Sequence, residues 1–276
     1  MTGIASRAMR FGTSGFLFEG DCLDILPVLS KDAAWKVLVG PQVHIICDPP
    51  YEQILHDSKS SAARRIRTDG RGPLKGLDFA PIDEIRDSFI DAAAAIADGW
   101  VISFCTAEGV RPWADVINAS PLKYKRACVW VKPDSTPQLN GQGPAMGAEN
   151  FVCAWAGAGY SRWNAGGKRG VYTHLCNPKD RDGTHPTEKP IALMAEIIGD
   201  FTCPGDLVID PFMGSGATGI AALRMGRRFI GIEMNPDYYD LACHRIADAL
   251  TQPELFAGAS PKREQGRFDL GGEGAA

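Results

Sequence analysis

The sequence predicts an α/β protein with a mostly parallel, doubly wound sheet and loop insertions, and three observations support this fold class. Short apolar segments alternate with helical segments along most of the chain. Many apolar segments are continuous, as in strands that are buried on both faces. A glycine-rich turn separates one such segment from a helix at the spacing of a βαβ unit. Ligands of such a sheet are expected at the carboxyl ends of its strands.

The predicted elements follow in order along the chain. Each predicted strand is a short apolar run bounded by Gly, Pro or a charged residue. The predicted strands are residues 43–47, 100–105, 127–131, 151–155, 207–209 and 229–232. The predicted helices are residues 82–97, 190–201, 217–225 and 236–250. Pro190 is expected at the first helical position, where its missing N–H costs no hydrogen bond.

The domain organisation is predicted from length and composition. The chain has 276 residues, of which 45% are hydrophobic and 22% are charged, which fits one large or two small globular domains, and one catalytic domain over residues 1–250 is expected. Two basic segments interrupt the alternation: a loop insertion at residues 52–80 and a second segment at residues 156–184. Residues 251–276 are rich in Gly, Ala and charge and are expected to form a disordered tail.

Composition also excludes several classes of protein. The first residues lack the pattern of a signal peptide, and no run of 18 apolar residues occurs, so a cytoplasmic location without membrane contact is expected. The eight cysteines are scattered, mostly within apolar runs, which favours buried thiols over disulfides. No Cys or His spacing is typical of a metal site, so no metal is expected. A net charge of −4 neither requires nor excludes a nucleic-acid partner.

The glycine-rich turn belongs to the stretch LVIDPFMGSGATGIAALRMGRRFIGIE, residues 207–233. Gly214, Gly216 and Gly219 satisfy the pattern G-x-G-x-x-G, and Glu233 closes the second strand. The glycines let the backbone pass close to a ligand, and the acid can accept hydrogen bonds from ribose hydroxyls. This geometry suits either a nicotinamide dinucleotide or S-adenosylmethionine.

The stretch VHIICDPPYEQ, residues 43–53, separates these two ligands. Pro49 and Pro50 stiffen the backbone after Asp48 and remove two N–H groups. A carboxylate beside a fixed carbonyl makes two acceptors, which can hold both hydrogens of one amino group, and Tyr51 offers a ring on which a planar base can stack. Drawing on both N–H groups favours a pyramidal nitrogen with an available lone pair. The arrangement therefore indicates methylation of a base amine without a metal or a covalent nucleophile.

With both motifs present, the sequence resembles the amino-directed DNA methyltransferases, in the permuted group whose catalytic motif precedes the cofactor motif. The resemblance extends from Phe18 to about Leu250 through five ordered motifs. These motifs are EGDCLDIL at 19–26, DPPY at 48–51, HPTEKP at 185–190, DPFMGSGAT at 210–218 and FIGIE at 229–233. It implies a Rossmann-like methyltransferase fold that uses S-adenosylmethionine and flips its target base out of duplex DNA.

The resemblance also implies roles for individual residues. Asp48 and the Pro49 carbonyl would bind the target amine, within a catalytic motif that includes Pro50, and Tyr51 would stack on the base. The implied cofactor-binding residues are Asp21 and Cys22 near the adenine, Thr187 and Lys189 near the methionine end, Asp210, Phe212, Gly214, Ser215 and Gly216 around the methionine and sulfonium, and Glu233 on the ribose. Simpler alternatives stay open for three of them: Asp21 as a turn acid, and Thr187 and Lys189 as the start of a helix.

The target and the partners follow from the same resemblance. Asp48, rather than serine, at the first motif position favours adenine over cytosine as the methylated base. The family's recognition segment falls at residues 156–184 and is short here, which implies a short DNA target or help from a second subunit, as in a homodimer. The candidate DNA-binding residues are Arg64, Arg65, Arg67 and Arg71 after the catalytic motif, and Arg162, Trp163, Lys168 and Arg169 in the recognition segment.

Other interpretations remain open at the sequence level. A cytosine-N4 methyltransferase shares the mechanism, and protein or RNA amine methyltransferases carry similar Pro-Pro-Tyr loops. A dinucleotide-dependent oxidoreductase explains the glycines but neither DPPY nor HPTEKP, and an inactive DNA-binding protein would not need both motifs intact. QPELF, from Gln252 to Phe256, resembles peptides that dock on bacterial sliding clamps, although such a short match favours a hydrophobic contact at a helix end.

Overall fold

A computed structural model describes residues 5–31, 40–50, 52, 81–136, 143–176 and 188–251. Within these residues nine strands form one sheet, with helices between them. The strands are β1 Arg7–Phe11, β2 Gly15–Glu19, β3 Val43–Cys47, β4 Trp100–Cys105, β5 Lys123–Val131, β6 Ala148–Trp155, β7 Val171–Thr173, β8 Leu207–Asp210 and β9 Arg228–Glu233. The helices are α1 Cys22–Lys31, α2 Arg86–Ile96, α3 Val110–Ala119, α4 Ile191–Phe201, α5 Ala217–Arg224 and α6 Pro236–Thr251, and a 3₁₀ turn covers Ile82–Glu84.

The sheet is mostly parallel, as predicted. Its strand order is β1-β2-β9-β8-β3-β4-β6-β5-β7. The five central strands, from β2 to β4, pair in parallel, whereas β1 and β6 join their neighbours antiparallel. Parallel strands need crossover connections, which the helices provide. The carboxyl ends of β2, β9, β8 and β3 consequently meet at one edge of the sheet, which we call the carboxyl edge.

Helices cover both faces of the sheet, which confirms the doubly wound architecture. In the described chain, α4, α5 and α6 pack on one face and α1, α2 and α3 on the other. The buried strand β3 serves both cores, because Ile46 faces the first group of helices whereas Ile45 and Cys47 face the second. Helix α4 buries Leu193, Met194, Ile197, Ile198 and Phe201, an apolar stripe at helical spacing.

Several elements differ from the sequence-based expectation. The predicted helix at 82–97 is a 3₁₀ turn followed by α2, and Pro190 precedes α4 rather than opening it. The strands β1, β2 and β7 and the helices α1 and α3 were not among the predicted elements. Strand β1 is largely exposed along its length, so it lacks the continuous apolar run of a buried strand.

Two further observations concern cysteines and membranes. The eight cysteines all lie within the described residues and form no disulfide with one another. No helix in the described part of the chain is long and apolar enough to cross a membrane.

A buried histidine–carboxylate pair joins the amino ends of β3, β4 and β8. The Trp100 amide donates to His44 Nδ1 at 3.0 Å, so Nε2 carries the proton and donates to Asp206 Oδ2 at 3.2 Å. The Cys203 amide donates to the same oxygen at 2.7 Å. Burial raises the pKa of Asp206, but these hydrogen bonds outweigh it and leave the pKa below the ordinary value of 3.8.

Asp206→Asn is therefore expected to lower the free energy of unfolding by about 1–3 kcal/mol at neutral pH. The carboxylate contribution is present above pH 3.8 and is lost as the pH falls through the lower folded-state pKa. Chemical denaturation of wild type and variant between pH 7 and pH 3 measures this difference. A difference that stays constant down to pH 3 would contradict the assignment.

Candidate functional site

A row of carboxylates lies along the carboxyl edge. Strand β9 pairs with β2 so that Glu233 is opposite Glu19, and β8 pairs with β9 so that Asp210 is opposite Gly231. Asp48 directly follows β3, the next strand of the parallel core. The chain thus places an acid at the end of four neighbouring strands, where an α/β sheet binds its ligands.

Asp48 directly follows β3, all five residues of which are buried. Its Oδ2 lies 2.6 Å from Lys189 Nζ, and its side chain is 23% exposed. Burial raises the pKa of Asp48 above its ordinary value, and the ion pair with Lys189 opposes that rise. Pro49 is buried and Pro50 is half-buried, so the backbone that the two prolines stiffen is packed against the protein. Tyr51 lies outside the described residues.

Glu52 anchors the chain just beyond this turn. Its carboxylate is buried, and Oε2 accepts a hydrogen bond from the Thr106 amide, 3.3 Å away, after the neighbouring strand β4. A Cβ atom added to Gly109 would lie 1.9 Å from Glu52 Oε1, so a larger residue there would displace the Glu52 carboxylate. This contact ties the chain after Asp48 to the loop that begins α3.

The glycine turn after β8 is folded around Glu233. The Gly214 amide donates to Glu233 Oε2 at 2.9 Å, and the Asn235 amide donates to Oε1 at 2.8 Å. Gly214 and Gly216 have φ angles of 49° and 84°, in the left-handed region that favours glycine. Ser215 is buried, and its carbonyl accepts from Arg245 at 2.8 Å. One oxygen of Glu233, the residue predicted to bind the ribose, therefore holds the glycine turn, and the other holds the backbone that follows β9.

Asp210 is buried where the turn begins. Its Oδ1 accepts from the Phe212 amide at 3.1 Å, and the Phe212 ring meets the edge of Phe89 at a centroid distance of 5.2 Å. Burial, helped by the nearby charges of Asp48 and Glu233 and opposed by hydrogen bonds from Thr218 and the Phe212 amide, raises the pKa of Asp210 to about 7. A cation beside Asp210 would favour its ionised form.

The other predicted cofactor residues occupy different kinds of position. Asp21 caps α1, since its Oδ1 accepts from the Leu23 amide at 2.8 Å, so the simpler interpretation as a turn acid describes its position. Cys22 is 5% exposed within the core, and burial raises its pKa to about 12. Lys189 reaches Asp48 and also Glu149 Oε1, at 3.0 Å. Thr187 lies outside the described residues.

The predicted DNA-binding residues of the recognition segment do not gather at the carboxyl edge. The Arg162 carbonyl accepts from Trp100 Nε1 at the amino end of β4, the opposite edge of the sheet from Asp48. Trp163 packs edge-on against Phe201 at 4.8 Å. Lys168 Nζ lies 2.7 Å from Glu196 Oε1 and also pairs with Asp200.

These placements narrow the predicted DNA surface. Trp163 and Lys168 serve the packing of the segment against α4, and Arg162 is exposed at the far edge. The positions of Arg162, Trp163 and Lys168 therefore do not favour contact with DNA at the carboxyl edge. Arg169 is exposed directly before β7 and remains a candidate. Arg64, Arg65, Arg67 and Arg71 lie outside the described residues.

Two residues of the site were missed by the sequence reasoning. Glu149 and Lys132 stand at facing ends of the paired strands β6 and β5, and their charges lie 2.5 Å apart beside Lys189. Their signal in the sequence is weak: Lys132 directly follows one predicted strand and Glu149 stands two residues before another.

Comparisons with known proteins agree with this geometry. The family model N6_N4_Mtase, described as DNA methylase, matches residues 43–244. Type II methyltransferase M2.DpnII of Streptococcus pneumoniae is 50% identical over 64 residues, which are 23% of this chain and 24% of that protein. The methylase YubD of Escherichia coli (strain K12) is 49% identical over 63 residues, 23% of this chain and 28% of that protein. These matches span about a quarter of each curated relative.

Solved structures share the fold over most of the chain. The crystal structure of the M1.HpyAVI-SAM complex has a TM-score of 0.62 and 24% identity, covering 83% of this chain and 98% of that one. The PvuII DNA methyltransferase, which is cytosine-N4-specific, has a TM-score of 0.60 and 18% identity, covering 86% and 91%. At such identities the likeness concerns the fold.

Proposed function

Because the chain belongs to the N6_N4_Mtase family of DNA methylases, we propose that it transfers a methyl group from S-adenosylmethionine to the exocyclic 6-amino group of a flipped-out adenine in double-stranded DNA. The observation that carries the proposal is the position of Asp48. Its carboxylate stands at the end of β3, beside the glycine turn of β8, and is held by a buried lysine. A base amine and a methyl donor can meet at this edge.

The chemistry of the glycine turn fits this cofactor. S-adenosylmethionine carries an ammonium, a sulfonium and a ribose diol. The buried Asp210, with a pKa raised to about 7, suits a positively charged neighbour. Glu233 uses one amide hydrogen bond on each oxygen, and a carboxylate has about four lone-pair sites, so it can also accept from ribose hydroxyls. When bound, S-adenosylmethionine supplies a methyl group on a sulfonium sulfur, which keeps the electron pair of the broken S–C bond.

Asp48 acts on the amine in two steps of the same reaction. Before transfer, its carboxylate and the Pro49 carbonyl accept the two N–H hydrogens, which turns the nitrogen lone pair toward the methyl group. As the new N–C bond forms, the nitrogen gains positive charge, which the Asp48 carboxylate stabilises. The nitrogen then gives one proton to Asp48, whose raised pKa makes it the better acceptor.

The most specific parts of the proposal are the identity of the methylated base and the residues that contact DNA. Asp48 at the first position of the motif supports adenine, by resemblance to the adenine-directed members. The family match favours methyl transfer over the dinucleotide-dependent oxidoreductase. For DNA contact we retain Arg169 together with Arg64, Arg65, Arg67 and Arg71. We propose residues 1–250 as the catalytic domain. The clamp peptide from Gln252 to Phe256 lies outside the described residues and, like a homodimer, stays a prediction.

Methyl transfer with analysis of the product tests the function. The purified chain is incubated with radiolabelled S-adenosylmethionine and, separately, unmethylated duplex DNA, total RNA and a protein extract. We expect label in DNA alone and, after digestion to nucleosides, in 6-methyladenine. Label in 4-methylcytosine would keep the mechanism and replace the base. Label only in RNA or protein would contradict the proposal.

A further inference from the structure

Four charged side chains form a continuous network of ion pairs that ends at Asp48. Lys132 Nζ lies 2.5 Å from Glu149 Oε2, Glu149 Oε1 lies 3.0 Å from Lys189 Nζ, and Lys189 Nζ lies 2.6 Å from Asp48 Oδ2. The charges alternate in sign and sum to zero. Of these four residues only Asp48, at one end of the network, belongs to the catalytic motif.

The inner members are held in place from several sides. The side chains of Glu149 and Lys189 are 3% and 6% exposed. The Lys189 ammonium lies over the Phe104 ring, 4.9 Å from its centroid, and within 6.0 Å of the Trp130 ring. Lys132 Nζ lies 4.4 Å from the centroid of the same Trp130 ring. Rings and charges together leave Lys189 little freedom to turn away from Asp48.

Burial makes this network of ion pairs sensitive to the loss of any one of its charges. Removing one partner of a buried pair leaves an uncompensated charge, which is strongly unfavourable. Without Glu149, Lys189 would have one carboxylate partner fewer, so its ion pair with Asp48 would become stronger. Without Lys132, Glu149 would draw Lys189 away from Asp48. Residues that never reach the base can thus change the carboxylate that does.

We propose that Lys132, Glu149 and Lys189 form a positioning relay that sets the orientation and the charge state of Asp48. The proposal rests on the proposed function, in which Asp48 is the reacting carboxylate. Lys189 holds Asp48 Oδ2 and thereby orients the carboxylate that binds the amine. Glu149 and Lys132 are positioning residues that act through Lys189 and touch neither cofactor nor base.

The relay predicts shifts of alternating direction in the pKa of Asp48. Lys189→Met removes the nearest positive charge, which opposes burial most strongly, and raises the pKa of Asp48 by about one pH unit or more. Glu149→Gln removes a negative charge that raises the pKa and therefore lowers it, whereas Lys132→Gln raises it. The charged groups that face Asp48 are Lys189 before α4, Glu149 of β6, Lys132 after β5 and Asp210 of β8. Asp210 is left intact in all three variants.

The experiment is ¹³C NMR titration of aspartate carboxyls in the full chain without cofactor, with the Asp48 signal assigned by its loss in Asp48→Asn. Asp206→Asn is the matched control, because it also removes a buried carboxylate but at the opposite edge of the sheet. It should leave the pKa of Asp48 unchanged. Lys132, whose side chain is 15% exposed, provides the variant that carries the test if Lys189→Met fails to fold.

A second readout separates positioning from general loosening. Glu149→Gln is expected to lower the single-turnover rate of methyl transfer by about 10- to 100-fold with little change in cofactor affinity, and Asp206→Asn to leave the rate unchanged. Shifts of the pKa in the same direction for all folded variants, or no shift, would overturn the relay. A wild type that methylates nothing would count against the proposed function, while the titration would still decide the relay.

Discussion

Asp48→Asn is expected to lower the single-turnover rate of methyl transfer by about 100- to 10,000-fold. The amide keeps the size of the side chain but carries no negative charge. It cannot stabilise the positive charge that develops on the amine, and it cannot take the proton. It also leaves the buried Lys189 ammonium, 2.6 Å away in the wild type, facing a neutral oxygen.

Cofactor affinity separates this chemical loss from a loss of structure. The affinity of Asp48→Asn for S-adenosylmethionine, measured by calorimetry, should stay close to that of the wild type, because the change lies in the amine site. Asp206→Asn serves as the control with a comparable buried change and should transfer methyl groups normally. A rate for Asp48→Asn within about threefold of the wild type would rule out the assigned role, given the 10²-fold or larger effect of general acid–base groups.

Glu233→Gln is expected to weaken cofactor binding by at least about tenfold and to lower the free energy of unfolding by about 1–3 kcal/mol. In the wild type the carboxylate accepts from the Gly214 and Asn235 amides with different oxygens. A glutamine has one acceptor oxygen, so its NH₂ group must face one of these N–H groups. Either the glycine turn or the backbone after β9 would then lose its hydrogen bond, and the ribose would lose a charged acceptor.

Calorimetric titration with S-adenosylmethionine and chemical denaturation measure the two effects of Glu233→Gln separately. Asp206→Asn again provides the control, since it should lower stability without changing cofactor affinity. If Glu233→Gln lost stability but bound the cofactor as well as Asp206→Asn does, the carboxylate would serve the turn alone.

The parts of the site that were predicted from sequence depend on short segments. Gly214 and Gly216 adopt left-handed φ angles, and Asp48 follows a fully buried strand, as their local patterns indicate. Both features arise within a few residues of the chain, because glycine permits unusual dihedrals and proline restricts them. Pattern and structure therefore agree where the causes are local.

The missed parts depend on contacts between distant segments. Glu149 joins Lys132 across two strands and Lys189 from a segment some 40 positions later, and no local pattern specifies such a meeting. Arg162 lies at the far edge because the segment after β6, an antiparallel strand, starts from the amino ends of the central strands. Strand direction, which composition does not reveal, decided that placement.

The reaction proposed for this chain is the methylation of adenine in DNA by means of Asp48. Single-molecule sequencing with kinetic detection of modified bases tests it most directly, on DNA from a methylation-deficient bacterial host that expresses either wild type or Asp48→Asn. We predict modified adenines at one recurring sequence with the wild type and at none with the variant. Equal modification by both proteins, or unmodified adenines despite folded wild-type protein, would contradict the account.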